Sequence, residues 1–268
     1  MRHILQQLLE KYNFAPTKIR GQNFLIDEII LDKIVSAGKI SSTDMVVEIG
    51  PGFGFLTKKL AIQAKKVMAL EIDSRATIVL EKELRDCQNV IILNQDALKF
   101  NFAEHLGNQK YLLIANIPYQ ITGKIFEQFL LGNYPPTRAV LLMQREVAMR
   151  VLAHGSKQTF LSVALNTAFA LEQVEKVSRE KFYPVPKVDS TVLSFEFKRK
   201  LTSEFITLIA RSFSHPKAKA LNNLDYGIFK KYNLKSIFIE LGIDLSVRPG
   251  DIKLDDWLKL GKKLSLLP

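Results

Sequence analysis

The continuous apolar run Met45-Val46-Val47-Glu48-Ile49 leads directly into Gly50-Pro51-Gly52-Phe53-Gly54, and a helix-period stretch over 55–64 follows. Strand, glycine turn and helix in that order let backbone approach a nucleotide closely and aim helix N–H groups at it. Alternating helix and strand patterns continue from about residue 45 to 133, which points to a parallel sheet. Further strands are predicted over 66–72, 89–94, 112–115 and 139–143. The rhythm then changes. Two β-rich runs, 169–177 and 191–197, flank a proline-rich segment at 182–187 and suit an antiparallel edge on an otherwise parallel sheet. Lys198-Arg199-Lys200 reads as a linker, and beyond Ser203 only helical periodicity remains, over 204–213, 233–241 and 255–264. The fold expected is α/β, a Rossmann-like sheet in a domain over 1–200, with a small α-helical domain over 201–268. Internal repeats and low-complexity segments are absent from the sequence.

The dinucleotide-binding fingerprint places its third glycine at the sixth position, where this chain has Phe55. Gly50, Gly52 and Gly54 instead match the variant seen in S-adenosylmethionine-dependent methyltransferases. Acids and amides then stand at successive strand ends, where ligands bind in doubly wound sheets. Glu71 is placed to take both hydroxyls of a ribose. Asp73 reads as the N-cap of the helix that begins at Ser74. Asp96 can accept from an adenine amino group or cap the helix after it.

Asn116-Ile117-Pro118-Tyr119 follows the apolar run 112–115. A ring-bound amino group is a poor nucleophile because its lone pair is delocalised. An asparagine oxygen and a backbone carbonyl that accept its two hydrogens steer that lone pair out of the ring plane. Proline stiffens the turn, since it fixes φ and offers no N–H. Tyrosine offers a flat face to a base, worth roughly 1–3 kcal/mol. The same four residues could also be a plain strand-to-helix turn. His105 and His154 lie outside the motif and read as structural, so no general base is evident there.

Together these residues resemble the ribosomal RNA adenine N6,N6-dimethyltransferases, most closely the small-subunit, KsgA-type branch. The likeness is carried by Gly21-Gln22-Asn23-Phe24-Leu25, the Glu48 to Gly54 loop, Asn116 to Tyr119, and Met143-Gln144-Arg145-Glu146-Val147-Ala148. Phe182-Tyr183-Pro184-Val185-Pro186-Lys187-Val188-Asp189-Ser190 and the stretch 241–249 complete it. The resemblance implies that Asn23, Leu25, Gly50, Glu71, Asp96 and Asn116 contact S-adenosylmethionine, and that Asn116, Tyr119 and Phe182 hold the adenine. It implies dimethylation of two adjacent adenosines near the 3′ end of 16S rRNA, in a small ribosomal subunit precursor. S-adenosylhomocysteine would be the product. One departure stands at 213–222, where the family has an Arg-Arg-Lys cluster and this chain keeps only Lys217 and Lys219. A large-subunit dimethylase of the macrolide-resistance type shares the core motifs, as a glutamine or DNA-adenine methyltransferase shares the tetrapeptide. A non-catalytic assembly or transcription factor on the same fold is the reading from another class.

Composition agrees with a polyanionic partner. The formal net charge is +11 over 268 residues, and neutralising phosphates releases counterions. Cys87 is the only cysteine, which excludes a disulfide framework. It reads as a packing residue near a helix end, and His215 as a surface residue. No apolar run reaches the ~18 residues of a membrane span. The expectation is a cytoplasmic monomer without metal or membrane association.

Overall fold

A computed structural model of the protein describes residues 1–17, 22–225 and 227–267, and nine strands form among these described residues. They are β1 (Phe24–Leu25), β2 (Met45–Ile49), β3 (Lys66–Glu71), β4 (Val90–Asn94), β5 (Leu112–Asn116), β6 (Arg138–Gln144), β7 (Phe169–Val177), β8 (Phe182–Tyr183) and β9 (Ser190–Phe197). The large sheet has the order β4-β3-β2-β5-β6-β9-β7, and β1 pairs with β8 in a small separate sheet. β2 runs parallel to both β3 and β5, β3 to β4 and β5 to β6, whereas β9 is antiparallel to β6. The antiparallel edge is thus where the late β-rich runs put it.

Every side chain of β2 is buried, because helices cover both faces of a parallel sheet and leave no solvated side. Each buried Val, Leu or Ile contributes about 1.5–3 kcal/mol. That continuous burial is why the strands read as unbroken apolar runs rather than as alternating ones. Chain connections leave β2 in one direction to β3 and β4, and then return to the other side for β5 and β6. The reversal lies between β2 and β5, the switch point where such sheets open a crevice at their carboxyl ends.

The chain divides into two compact units. The first comprises residues 1–148 and 171–197 and holds the sheet apart from the first two residues of β7. The second comprises residues 149–170 and 198–268. Its helices include Phe160–Ala168, Ser203–Ser212, Leu234–Glu240 and Leu254–Lys263, around a core with Phe205, Phe238 and Trp257 fully buried. The segment 149–170 lies outside the helical domain expected at 201–268. Its helix is closed at the N-terminus by a capping box of Thr159 and Ser162. It buries Val163, Ala164 and Leu165, and it packs on the helices Ser203–Ser212 and Leu254–Lys263.

Among the described residues no helix is long and apolar enough to cross a membrane. They also contain no group of three His, Cys, Asp or Glu able to hold a metal ion.

Candidate active site

A cavity of about 300 Å³ opens at the switch point in the first unit. The ends of β2, β3, β4 and β5 supply Gly50, Glu71, Asp96 and Asn116, and the segment before β1 supplies Asn23; Leu25 and Tyr119 also line it. A ligand of nucleoside size suits that volume, since small-molecule sites run from ~300 to ~1,000 Å³. Gly21, which begins the N-terminal motif, lies outside the described residues.

The glycine loop is held by Glu71. Its Oε2 accepts from Gly52 N at 3.2 Å and its Oε1 from Asp73 N at 2.8 Å. Burial pushes this carboxyl above the ordinary glutamate range, and those two N–H donors pull the other way. Gly52 has φ +59°, and a Cβ there would come within 2.9 Å of the Phe24 ring. Only glycine leaves room for Phe24, which stands edge-on to Phe53 at 5.0 Å. Asp96 caps the short helix Ala97–Lys99 through its Oδ1, which accepts from Leu98 N at 2.9 Å. Its second oxygen is left to other partners, so the capping and ligand readings are compatible. Asp73 caps the helix Ser74–Glu83. It also accepts from Gln22 Nε2 at 3.0 Å and from Arg75 at 2.7 Å, which ties the N-terminal motif to the sheet.

The tetrapeptide is clasped from two sides. Asn116 Nδ2 donates to the Asn23 carbonyl at 3.1 Å, which turns its amide to a fixed orientation. The Tyr119 hydroxyl pairs with Ser190 Oγ at 2.7 Å, and Ser190 is fully buried. Burial raises the Tyr119 phenol above its ordinary range, against the Ser190 hydrogen bond. Ser190 is the last residue of the proline-rich motif, so two motifs far apart in sequence meet at one hydroxyl pair.

Phe182 does not join the other expected site residues at the cavity. It was to hold the adenine, but it is fully buried, does not line the cavity, and packs in the core with Leu25, Leu31 and Val177. Its partner across the small sheet is Leu25. As folded it backs a cavity residue rather than offering a face to a base, and the half-buried neighbour Tyr183 packs with Phe14 and Phe53 instead.

Among the lining residues given no individual role from the sequence are Glu48 and Ile72. Glu48 lies at the end of β2 and is 1% exposed; a carboxylate inside an otherwise apolar strand was the available signal. Ile72 is an exposed apolar side chain between two acids. Outside the cavity, His215 is exposed and contacts Ser214, and Cys87 is half-buried and free.

A model of the ribosomal RNA adenine dimethylase family matches residues 15–265. The chain is 34% identical to the ribosomal RNA small subunit methyltransferase A of Pediococcus pentosaceus, over 97% of this chain and 93% of that protein. It is 35% identical to the protein of the same name from Clostridioides difficile, covering 94% and 92% respectively. Among solved structures it is similar to a dimethyladenosine transferase from Plasmodium falciparum, with a TM-score of 0.77 and 29% identity over 91% of this chain and 99% of that one. The 23S rRNA methyltransferase ErmE is similar too, with a TM-score of 0.74 and 26% identity over 91% of this chain and all of that one.

Proposed function

The chain belongs to the ribosomal RNA adenine dimethylase family, and from that premise we propose that it dimethylates the N6 amino groups of two adjacent adenosines near the 3′ end of 16S rRNA. S-adenosylmethionine is the methyl donor and a small ribosomal subunit precursor the substrate particle. Glu71 takes the ribose hydroxyls, Asp96 the adenine amino group of the cofactor, and Ile72 an apolar edge of that ring. Asn23, Leu25 and the Gly50 backbone close around the remainder.

The observation that carries the reading is the hydrogen bond from Asn116 Nδ2 to the Asn23 carbonyl. With the NH₂ group engaged there, the side-chain oxygen is the end left to face the cavity. That oxygen and the carbonyl of the Ile117–Pro118 segment accept the two N6 hydrogens of the target, which frees the nitrogen lone pair for attack. When bound, S-adenosylmethionine supplies the methyl group and a good leaving group, so alignment provides most of the rate. The N–CH₃ bond forms as the S–CH₃ bond breaks, and the methylated amine, now acidic, loses a proton to water; one N–H remains, and the same acceptors hold it for the second transfer.

Tyr119 is the stacking face for the extruded base, its ring fixed through Ser190. Unstacking the target costs a few kcal/mol, and an aromatic face returns about 1–3 kcal/mol of that. The second unit carries exposed lysines, among them Lys217, Lys219, Lys230 and Lys231, which grip RNA backbone by charge and shape.

Similarity to a 23S rRNA methyltransferase makes the large subunit the natural competitor. Labelled S-adenosylmethionine offered to separate unmethylated small and large subunits tests the choice. Label is expected in the small subunit alone, and label chiefly in the large subunit would overturn the substrate assignment.

A further inference from the structure

The glycine loop of the cavity has little of its own to hold it in shape. Gly50, Gly52 and Gly54 stand at positive φ, between +59° and +79°, and glycine loses more conformational freedom on ordering than any other residue. Phe53, 2% exposed, is the one aromatic side chain in that stretch. Its ring is met edge-on from two sides, by Phe24 at 5.0 Å and by Phe14 at 5.1 Å. Phe24 belongs to the motif that lines the cavity. Phe14 lies outside the cavity lining, in a segment to which the methyl-transfer site gives no role.

That segment is fastened down. The helix Arg2–Lys11 buries Leu5 and Leu8 in a cluster with Ala76 and Val79 of the helix Ser74–Glu83. The Tyr12 hydroxyl donates to Glu83 Oε1 at 2.7 Å, and Lys11 Nζ pairs with the same oxygen at 2.8 Å. The Arg75 guanidinium lies over the Phe14 ring, 4.7 Å from its centroid, and also pairs with the buried Asp73. A chain end frays unless it is tied down, and these ties set one ring, Phe14, against the glycine loop. We propose that Phe14 is a positioning residue for cofactor binding: the N-terminal segment straps over the helix Ser74–Glu83 and, through Phe53, holds the glycine loop in its binding geometry. This rests on the S-adenosylmethionine assignment made above. A loop ordered before the ligand arrives spares binding the entropy of ordering it. Loss of the ring therefore weakens cofactor binding and leaves the chemical step, which depends on Asn116 and Tyr119, at its usual rate once the site is filled.

Hydrogen exchange of the free protein, calorimetry with S-adenosylhomocysteine and kinetics on unmethylated small subunits test this on Phe14→Ala. The amides of Gly52 and Gly54, which donate to Glu71 and to the Pro51 carbonyl, should exchange faster than in the wild type, while those of β5 keep their protection. S-adenosylhomocysteine should bind roughly three- to tenfold more weakly, the scale of one edge-on aromatic pair. KM for S-adenosylmethionine should rise in step and kcat stay within about twofold, the mark of an interaction made equally in the ground and transition states. Phe14→Leu keeps apolar bulk without the ring; it should shift the same quantities less, and it decides the matter if Phe14→Ala does not fold. Unchanged affinity, weaker affinity without faster exchange in the loop, or a fall in kcat at unchanged KM would each overturn the proposal. Failure of the wild-type protein to bind S-adenosylmethionine would instead remove the cofactor assignment, and this role with it.

Discussion

The two units use their polar residues in opposite ways. In the first, Glu71, Asp96, Asn116 and Tyr119 are each held by a named partner, at distances from 2.7 to 3.2 Å, around one cavity. In the second, Lys217, Lys219, Lys230 and Lys231 stand exposed in the turns between helices that bury Trp257 and Phe205. A displaced atom in the first unit removes an interaction that works only in one geometry. A lost charge in the second removes one of several interchangeable contacts with a polyanion. Chemistry on this account depends on position, and RNA affinity on the sum of charge.

The largest effect separates the two. Asn116→Ala should lower turnover by roughly 10²-fold or more, the scale of losing one oriented polar group in a transition state. RNA affinity should stay within about twofold, because phosphate contacts supply most of it. Single-turnover kinetics beside filter binding measures both, and a parallel loss of affinity would blur the division.

Next in size is Glu71→Ala, which should weaken S-adenosylmethionine binding by about 1.5–3 kcal/mol, as for a hydrogen bond to a charged group. It also frees the Gly52 and Asp73 N–H groups that Glu71 now accepts, so thermal stability should fall with affinity. Unchanged calorimetric affinity would remove the ribose role.

Tyr119→Phe should be milder, with an activity loss well short of that from Tyr119→Ala, because the ring remains. It leaves Ser190 Oγ without the hydroxyl it now meets, at a stability cost of about 1–3 kcal/mol for a buried unsatisfied group. If Phe matches Ala in activity, the hydroxyl pair rather than the stacking face is what matters.

The smallest effect is in the second unit. Lys217→Ala, at an exposed site, should lower affinity modestly for any RNA and reduce the slope of log affinity against log salt by about 0.7–0.9. A large, sequence-dependent loss would mean that the second unit also reads position. Point substitutions suit this unit better than truncation at residue 201, which would strip helix Phe160–Ala168 of the helices it packs on.

Much of the first unit was legible because short-range signals agree there. A buried parallel strand is a continuous apolar run, the left-handed turns at Gly50, Gly52 and Gly54 call for glycine, and strand ends carry the polar residues. The remainder depended on pairing. Whether Phe182 or Tyr183 faces the core is set by the register with Phe24 and Leu25, more than 150 residues earlier in the chain, and a one-residue slip would exchange them. Residues 149–170 join the helical unit through side chains whose partners lie beyond residue 198, which local periodicity cannot show. Glu48 sat in plain view, but its burial against the cavity is a property of the folded interior.

Mass analysis of nucleosides from 16S rRNA tests the central claim most directly, after unmethylated small subunits are incubated with the protein and S-adenosylmethionine. The expected product is N6,N6-dimethyladenosine, formed by the wild-type protein and nearly absent with Asn116→Ala. Methylation at a ring nitrogen or a ribose, or full product from the Asn116 variant with cofactor and RNA bound, would contradict it.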